Sequence, residues 1–168
     1  MILTEGEVAA IRRQAEAEYP AECCGVLLLR EGAAPDRLLY PCRNIQDAKH
    51  REDPARFPAE ARHAYYMHPD DILAFTRKAD AEGYAVAAIY HSHVDVGAYF
   101  SPTDRRNALV AGQPAYPDVT YVVVAVDRGH AGEMRAFRWE PSAADFVEVP
   151  MGAEVHASDC PEKAVDSR

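Results

Sequence analysis

The chain is poor in the features that mark several common classes of protein. Its longest apolar stretches are Gly25 to Leu29, Tyr84 to Tyr90 and Val119 to Val126. All fall far short of the ~20 residues that a membrane-spanning helix needs. Positive charge is scarce as well: 18 Lys and Arg stand against 27 Asp and Glu, a formal net charge of −9. The basic residues occur in pairs such as Arg12-Arg13 and Arg105-Arg106, not in the stripes that phosphate binding demands. Neither a nucleic acid nor a membrane is therefore an expected partner. The first residues, MILTEGEVAAIRRQAEAEYP, lack the basic start and apolar core of a signal peptide. A cytoplasmic location with reduced thiols is the expectation. Cys23, Cys24, Cys42 and Cys160 form no CxxC pair, which argues against a cysteine-built zinc knuckle. The H-x-E…P-C-x-x-C set of zinc deaminases is missing too. Internal repeats and low-complexity tracts are absent.

What is there reads as one domain. The 168 residues suffice for a core, and 48% apolar with 27% charged residues is the balance of a globular protein. Thr4 to Tyr19 reads as a helix with Thr4 and Glu7 as a capping box. Cys23 to Arg30 and Arg37 to Cys42 form a hairpin pattern. Residues 43 to 62, charged and interrupted by Pro54 and Pro58, read as a long loop. Ala64 to Met67 is a candidate strand, Pro69 to Glu82 a helix ended by Gly83, and Tyr84 to Tyr90 a strand. A helix over Thr103 to Ala111 follows, then a Pro-rich connection over Gly112 to Asp118. Strands are predicted at Val119 to Val126, Met134 to Trp139 and Phe146 to Val149. Interspersed strands and helices predict an α/β or α+β domain around one mixed sheet, over residues 1–150. Residues 151–168 read as a loosely held tail.

Chemistry concentrates between Ile89 and Asp104, IYHSHVDVGAYFSPTD. Residues two apart on a strand share a face, so His91 and His93 can converge on one ion. On a helix the same spacing would divide them. By itself the pair is equally well read as two solvated strand-end histidines. Ser101-Pro102-Thr103-Asp104 is a helix start, with Ser as cap, Pro at the first position and Asp near the positive end of the dipole. That start also fixes a carboxylate, which would complete a His, His, Asp set with one coordination position open. Glu22 stands where an acidic residue meets an apolar strand, a costly place unless it is exposed, paired or functional; taken alone, an exposed strand-end acid is the plainer reading.

Glu22, His91-Ser92-His93, seven residues, Ser101, two residues and Asp104 reproduce the pattern E…H-[ST]-H-x7-S-x2-D. In this the chain resembles the JAMM (MPN/JAB) zinc metalloprotease family, over roughly Leu3 to Val149. PAECCGVL, PCRN and AYYMHPDD look like its bacterial members, which act on conjugates of ubiquitin-like sulfur-carrier proteins. The resemblance implies a cytidine-deaminase-like α/β fold, a mixed sheet flanked by helices. It implies Zn²⁺ held by His91, His93 and Asp104, with Glu22 as general acid–base and the Ser101 hydroxyl as oxyanion donor. The partner it implies is the C-terminus of a ubiquitin-like sulfur carrier, cut at a peptide, isopeptide or carrier-cysteine bond. Some relatives are non-catalytic scaffolds, but they lack the glutamate or a ligand. Self-association as a homodimer stays open. Val94 stands where the family usually has proline, which puts the stiffness of the strand exit in question but not the ligand set.

Other residues invite functional readings that ordinary ones outweigh. Cys23 and Cys24 adjoin Glu22, yet read as core thiols. His50, His63 and His68 read as surface histidines. Tyr65, Tyr66, Tyr99 and Phe100 could line a groove, although packing is the commoner use. Asp95 could support a ligand imidazole, but an exposed loop acid is the plainer reading.

Overall fold

The capping box at Thr4 forms and sets the direction of the chain. In the computed structural model, which describes residues 2–30 and 36–152, helix α1 spans Glu5–Glu18. The Thr4 hydroxyl accepts the Glu7 N–H at 3.2 Å, and the Glu7 carboxylate accepts the Thr4 N–H at 2.7 Å. Strands β1 (Cys24–Arg30) and β2 (Asp36–Cys42) pair antiparallel, as the hairpin pattern predicts.

The next segment departs from the long loop expected there. Helix α2 (Gln46–Glu52) forms within it. The helix shows no apolar stripe, so periodicity could not reveal it. It is held by polar ties: Gln46 Nε2 donates to the Ala59 carbonyl at 2.6 Å, and Asp47 accepts the Ala61 N–H at 2.6 Å. The strand expected over Ala64 to Met67 does not form, and only an isolated bridge joins Met67 to Asn44. Helix α3 (Pro69–Glu82) has its expected bounds, with His68 Nδ1 capping the Asp70 N–H and Gly83 left-handed at φ 72°.

Strand β3 (Ala85–Val94) runs past the expected Tyr90 and carries both histidines. Helix α4 (Pro102–Asn107) stops short of the predicted Ala111. Ala111 and Gly112 both take positive φ, which turns the chain between the short strands β4 (Leu109–Val110) and β5 (Gln113–Pro114). Strands β6 (Thr120–Asp127), β7 (His130–Glu140) and β8 (Asp145–Val149) are the last elements among the described residues. The expected tail falls mainly on residues 153–168, outside the described residues. Its first residue, Met151, accepts the Ile2 N–H.

The main sheet runs β2-β1-β3-β6-β7-β8, with β3 and β6 parallel and the other pairs antiparallel. This is the mixed sheet expected. One face, with Leu27, Tyr90 and Val124, packs against Ile11 and Ala15 of α1. The other, with Val26, Ile89 and Val123, packs against Phe75 of α3 and an aromatic cluster of Phe100, Phe137 and Phe146. Alternation places Ile89, His91 and His93 toward this second face, and Tyr90 and Ser92 toward the first. Gly25 lets β1 pass Tyr90, since a Cβ there would lie 2.3 Å from the Tyr90 hydroxyl oxygen.

Candidate metal centre

Three polar side chains meet in a setting that would otherwise be core. His91 and Ser92 are fully buried, and Glu22, His93 and Asp104 are all under 10% exposed. The His91 and His93 Nε2 atoms lie 3.2 Å apart. Asp104 reaches the first with Oδ1 at 3.3 Å and the second with Oδ2 at 3.3 Å. A tetrahedral ion with ligands at about 2.0–2.1 Å has donor atoms about 3.3 Å apart. The His-His-Asp group therefore fits one small divalent ion. Among the described residues it is the one group of three or more such side chains able to hold a metal. His93 Nδ1 lies 3.2 Å from the Gly97 carbonyl. A carbonyl only accepts, so Nδ1 carries the proton and Nε2 presents its lone pair to the centre.

Asp104 is placed by its helix start and by what precedes it. Ser101 and Asp104 form a second capping box: Ser101 Oγ accepts the Asp104 N–H at 3.1 Å, and Asp104 Oδ2 accepts the Ser101 N–H at 2.7 Å. The Phe100 ring is 4.8 Å from Phe146 and 5.4 Å from Phe137, which pins the chain one residue before the cap. Arg105 pairs with Asp145, tying α4 to β8. Burial works against the Asp104 charge, but the two histidines and Ser101 outweigh it and hold its carboxyl far below the usual range.

Glu22 arrives from the far side. Its N–H donates to the Ala61 carbonyl at 2.7 Å, and its own carbonyl accepts from Asn44 Nδ2 at 2.8 Å. Burial first, and the Asp104 charge second, push its carboxyl up to about 9. The exposed strand-end acid is thus not what the fold makes of Glu22. The residue after it is locked to the middle of the histidine motif. The Cys23 N–H donates to Ser92 Oγ at 2.7 Å, and the Ser92 N–H to the Cys23 carbonyl at 3.0 Å. Ser92 therefore sets Glu22 against the histidine pair, a role that sequence reasoning missed although the motif admits only Ser or Thr there.

The remaining candidates divide. Tyr65 stacks on His91 with ring centroids 4.7 Å apart, and Tyr99 meets His93 edge-on at 4.9 Å. Phe100 belongs to the core. Burial pushes the Cys23 thiol up to about 12 and raises Cys24 as well, so both are inert thiols. None of His50, His63 and His68 joins the centre. Asp95 does not support an imidazole, because its carboxylate is taken by Tyr19, Arg62 and Arg128. A cavity of about 700 Å³ opens beside Asp104, walled by Phe57, Tyr65, Tyr66, Ile72 and Tyr116. Among the described residues no helix is long and apolar enough to cross a membrane.

Such an architecture defines a class, that of α/β proteins able to hold a metal ion where a central strand ends in paired histidines. Within it, the chain belongs to the prokaryotic homologues of the JAB domain, whose family profile matches residues 4–140. It is 27% identical over 143 residues to a desampylase of Haloferax volcanii, covering 85% of this chain and 86% of that one. It is 29% identical over 138 residues to a CysO-cysteine peptidase of Mycobacterium tuberculosis, covering 82% of each. A solution structure of a Desulfitobacterium hafniense protein matches 87% of both chains with a TM-score of 0.60 and 18% identity, a likeness of fold.

Proposed function

We propose that this protein is a zinc-dependent hydrolase that releases a group from the C-terminus of a ubiquitin-like sulfur-carrier protein, at a peptide, isopeptide or carrier-cysteine bond. The observation that carries the reading is the buried His91–His93–Asp104 set with tetrahedral donor spacing and the strongly perturbed Glu22 beside it. The similarity to a desampylase and to a CysO-cysteine peptidase supports the substrate class. A non-catalytic scaffold would have no use for a buried glutamate so costly to keep.

His91, His93 and Asp104 would hold the ion, and zinc bound there supplies a Lewis acid that lowers the pKa of water toward ~7 and polarises a carbonyl. Positive charge at the centre favours the carboxylate form of Glu22. Glu22 then takes a proton from the attacking water and returns it to the leaving amine. Ser101 Oγ already accepts the Asp104 N–H, which leaves its hydroxyl proton to donate to the developing oxyanion. His93 keeps its tautomer through Gly97, and Ser92 keeps Glu22 at the site. The cavity beside Asp104, lined by Tyr65, Tyr66 and Tyr116, takes the extended carrier tail.

The test is a cleavage assay on a sulfur-carrier–cysteine adduct, with metal analysis of the same preparation. About one zinc per chain and cleavage abolished by chelation are expected. Undiminished cleavage by fully metal-free protein would refute the reading.

A further inference from the structure

The residue two beyond His93 ties the strand that carries both histidines to the segments on either side of Glu22. Asp95 lies just past the end of β3 with a left-handed backbone, φ 56°. Its N–H donates to the Val126 carbonyl at 2.7 Å, which carries the β3–β6 pairing past Val94. Its carboxylate gathers donors from three other places. The Arg128 N–H, in the turn between β6 and β7, reaches Oδ1 at 2.8 Å. The Tyr19 hydroxyl, at the end of α1, reaches Oδ2 at 3.1 Å. The Arg62 guanidinium pairs with Oδ2.

Glu22 hangs between the last two anchors. Tyr19 precedes it by one short turn of chain. Arg62 follows Ala61, whose carbonyl accepts the Glu22 N–H at 2.7 Å. One carboxylate thus fastens the strand that bears both histidines to the two segments that hold Glu22. An acid that merely closed a turn would find its partners within that turn. Here they come from α1, from the segment after α2 and from the β6–β7 turn.

We propose that Asp95 is a positioning residue, which holds the Glu22 carboxylate in register with the His91–His93 pair. This rests on the reading of Glu22 as the general acid–base group. Misplacing such a group by an ångström lowers turnover by up to about 10²-fold, whereas the ion, held by side chains the clamp does not touch, is unaffected.

The experiment is a double-mutant cycle on the zinc-loaded protein with the carrier–cysteine adduct as substrate. Asp95→Gly removes the carboxylate at a φ where glycine is at ease. Asp95→Asn keeps an acceptor and tolerates the same φ. Tyr19→Phe removes one donor and keeps the ring. Asp95→Gly is expected to retain its zinc, to lose about ten- to a hundredfold in kcat and to change KM less than about twofold. Asp95→Asn, with one acceptor oxygen for three donors, recovers only part of the loss, and Tyr19→Phe shows a smaller loss of the same kind. In a Glu22→Gln background each change has little further effect, because two residues acting through one function are not additive. An equal proportional loss in both backgrounds overturns the proposal, as does loss of zinc in Asp95→Gly or wild-type kcat in Asp95→Gly and Tyr19→Phe. Should Asp95→Gly fail to fold, Asp95→Asn and Tyr19→Phe complete the cycle. Wild-type activity in Glu22→Gln alone would instead remove the general-base reading, and the clamp with it.

Discussion

Removing the metal should expose how much the fold sacrifices to bury Glu22. In the metal-free protein its carboxyl is pushed from an ordinary value of 4.5 up to about 9, by burial and then by the Asp104 charge. Between those two values the folded chain holds a proton that the unfolded chain has released. The contribution of Glu22 to stability is therefore fully present below about pH 4.5, falls as pH rises, and is lost by about pH 9. Each pH unit in that interval removes about 1.4 kcal/mol. Between about pH 5.5 and 7.5 the metal-free wild type should lose up to about 3 kcal/mol relative to Glu22→Gln, a side chain of nearly the same shape that does not titrate. Urea unfolding of both proteins in chelator, across that range, measures the difference directly, and titrations common to the two largely cancel. With zinc bound, the difference should shrink, because positive charge favours the carboxylate. Stability curves for the two metal-free proteins that run parallel across the whole range would refute the reasoning.

Other consequences of the same geometry are open to measurement. His91→Ala, His93→Ala and Asp104→Ala should each lose most of the bound zinc, since a three-ligand site tolerates the loss of one poorly; full occupancy in any two of them would contradict the assignment. Ser101→Gly should melt near wild type, because glycine is a tolerable helix cap that costs only a few tenths of a kcal/mol, and should lose on the order of 10²-fold in turnover with zinc retained. If it turned over at the wild-type rate, Ser101 would be a cap alone. Ser92→Ala leaves the buried Cys23 N–H without its partner at 2.7 Å, a loss of about 1–3 kcal/mol visible in denaturant midpoints. Gly25→Ala drives a methyl into the Tyr90 hydroxyl and the Tyr40 carbonyl, and should destabilise by about 1–3 kcal/mol or more.

Much of this protein is written locally. The capping box at Thr4, the helix start at Ser101, the proline start and glycine end of α3, and the apolar run into His91 are short-range signals, and each forms as read. They suffice to put two histidines on one face of a strand and an aspartate at the next helix start. Helix α2 and the absent strand at Ala64 to Met67 were not legible. Their conformation is set by hydrogen bonds from Gln46, Asp47 and Asn44 to distant backbone, not by any periodicity. Glu22 shows the same division most clearly. Sequence marks it as an acid at the mouth of a strand, which taken alone reads more plainly as exposed. Only the pairing of β1 with β3, which places Cys24 opposite His91, buries its carboxyl near Asp104 and perturbs it. Asp95, which reads as a loop acid, joins Tyr19, Arg62 and Arg128 for the same reason. Its partners are far away along the chain, and such contacts exist only once the sheet has brought those segments together.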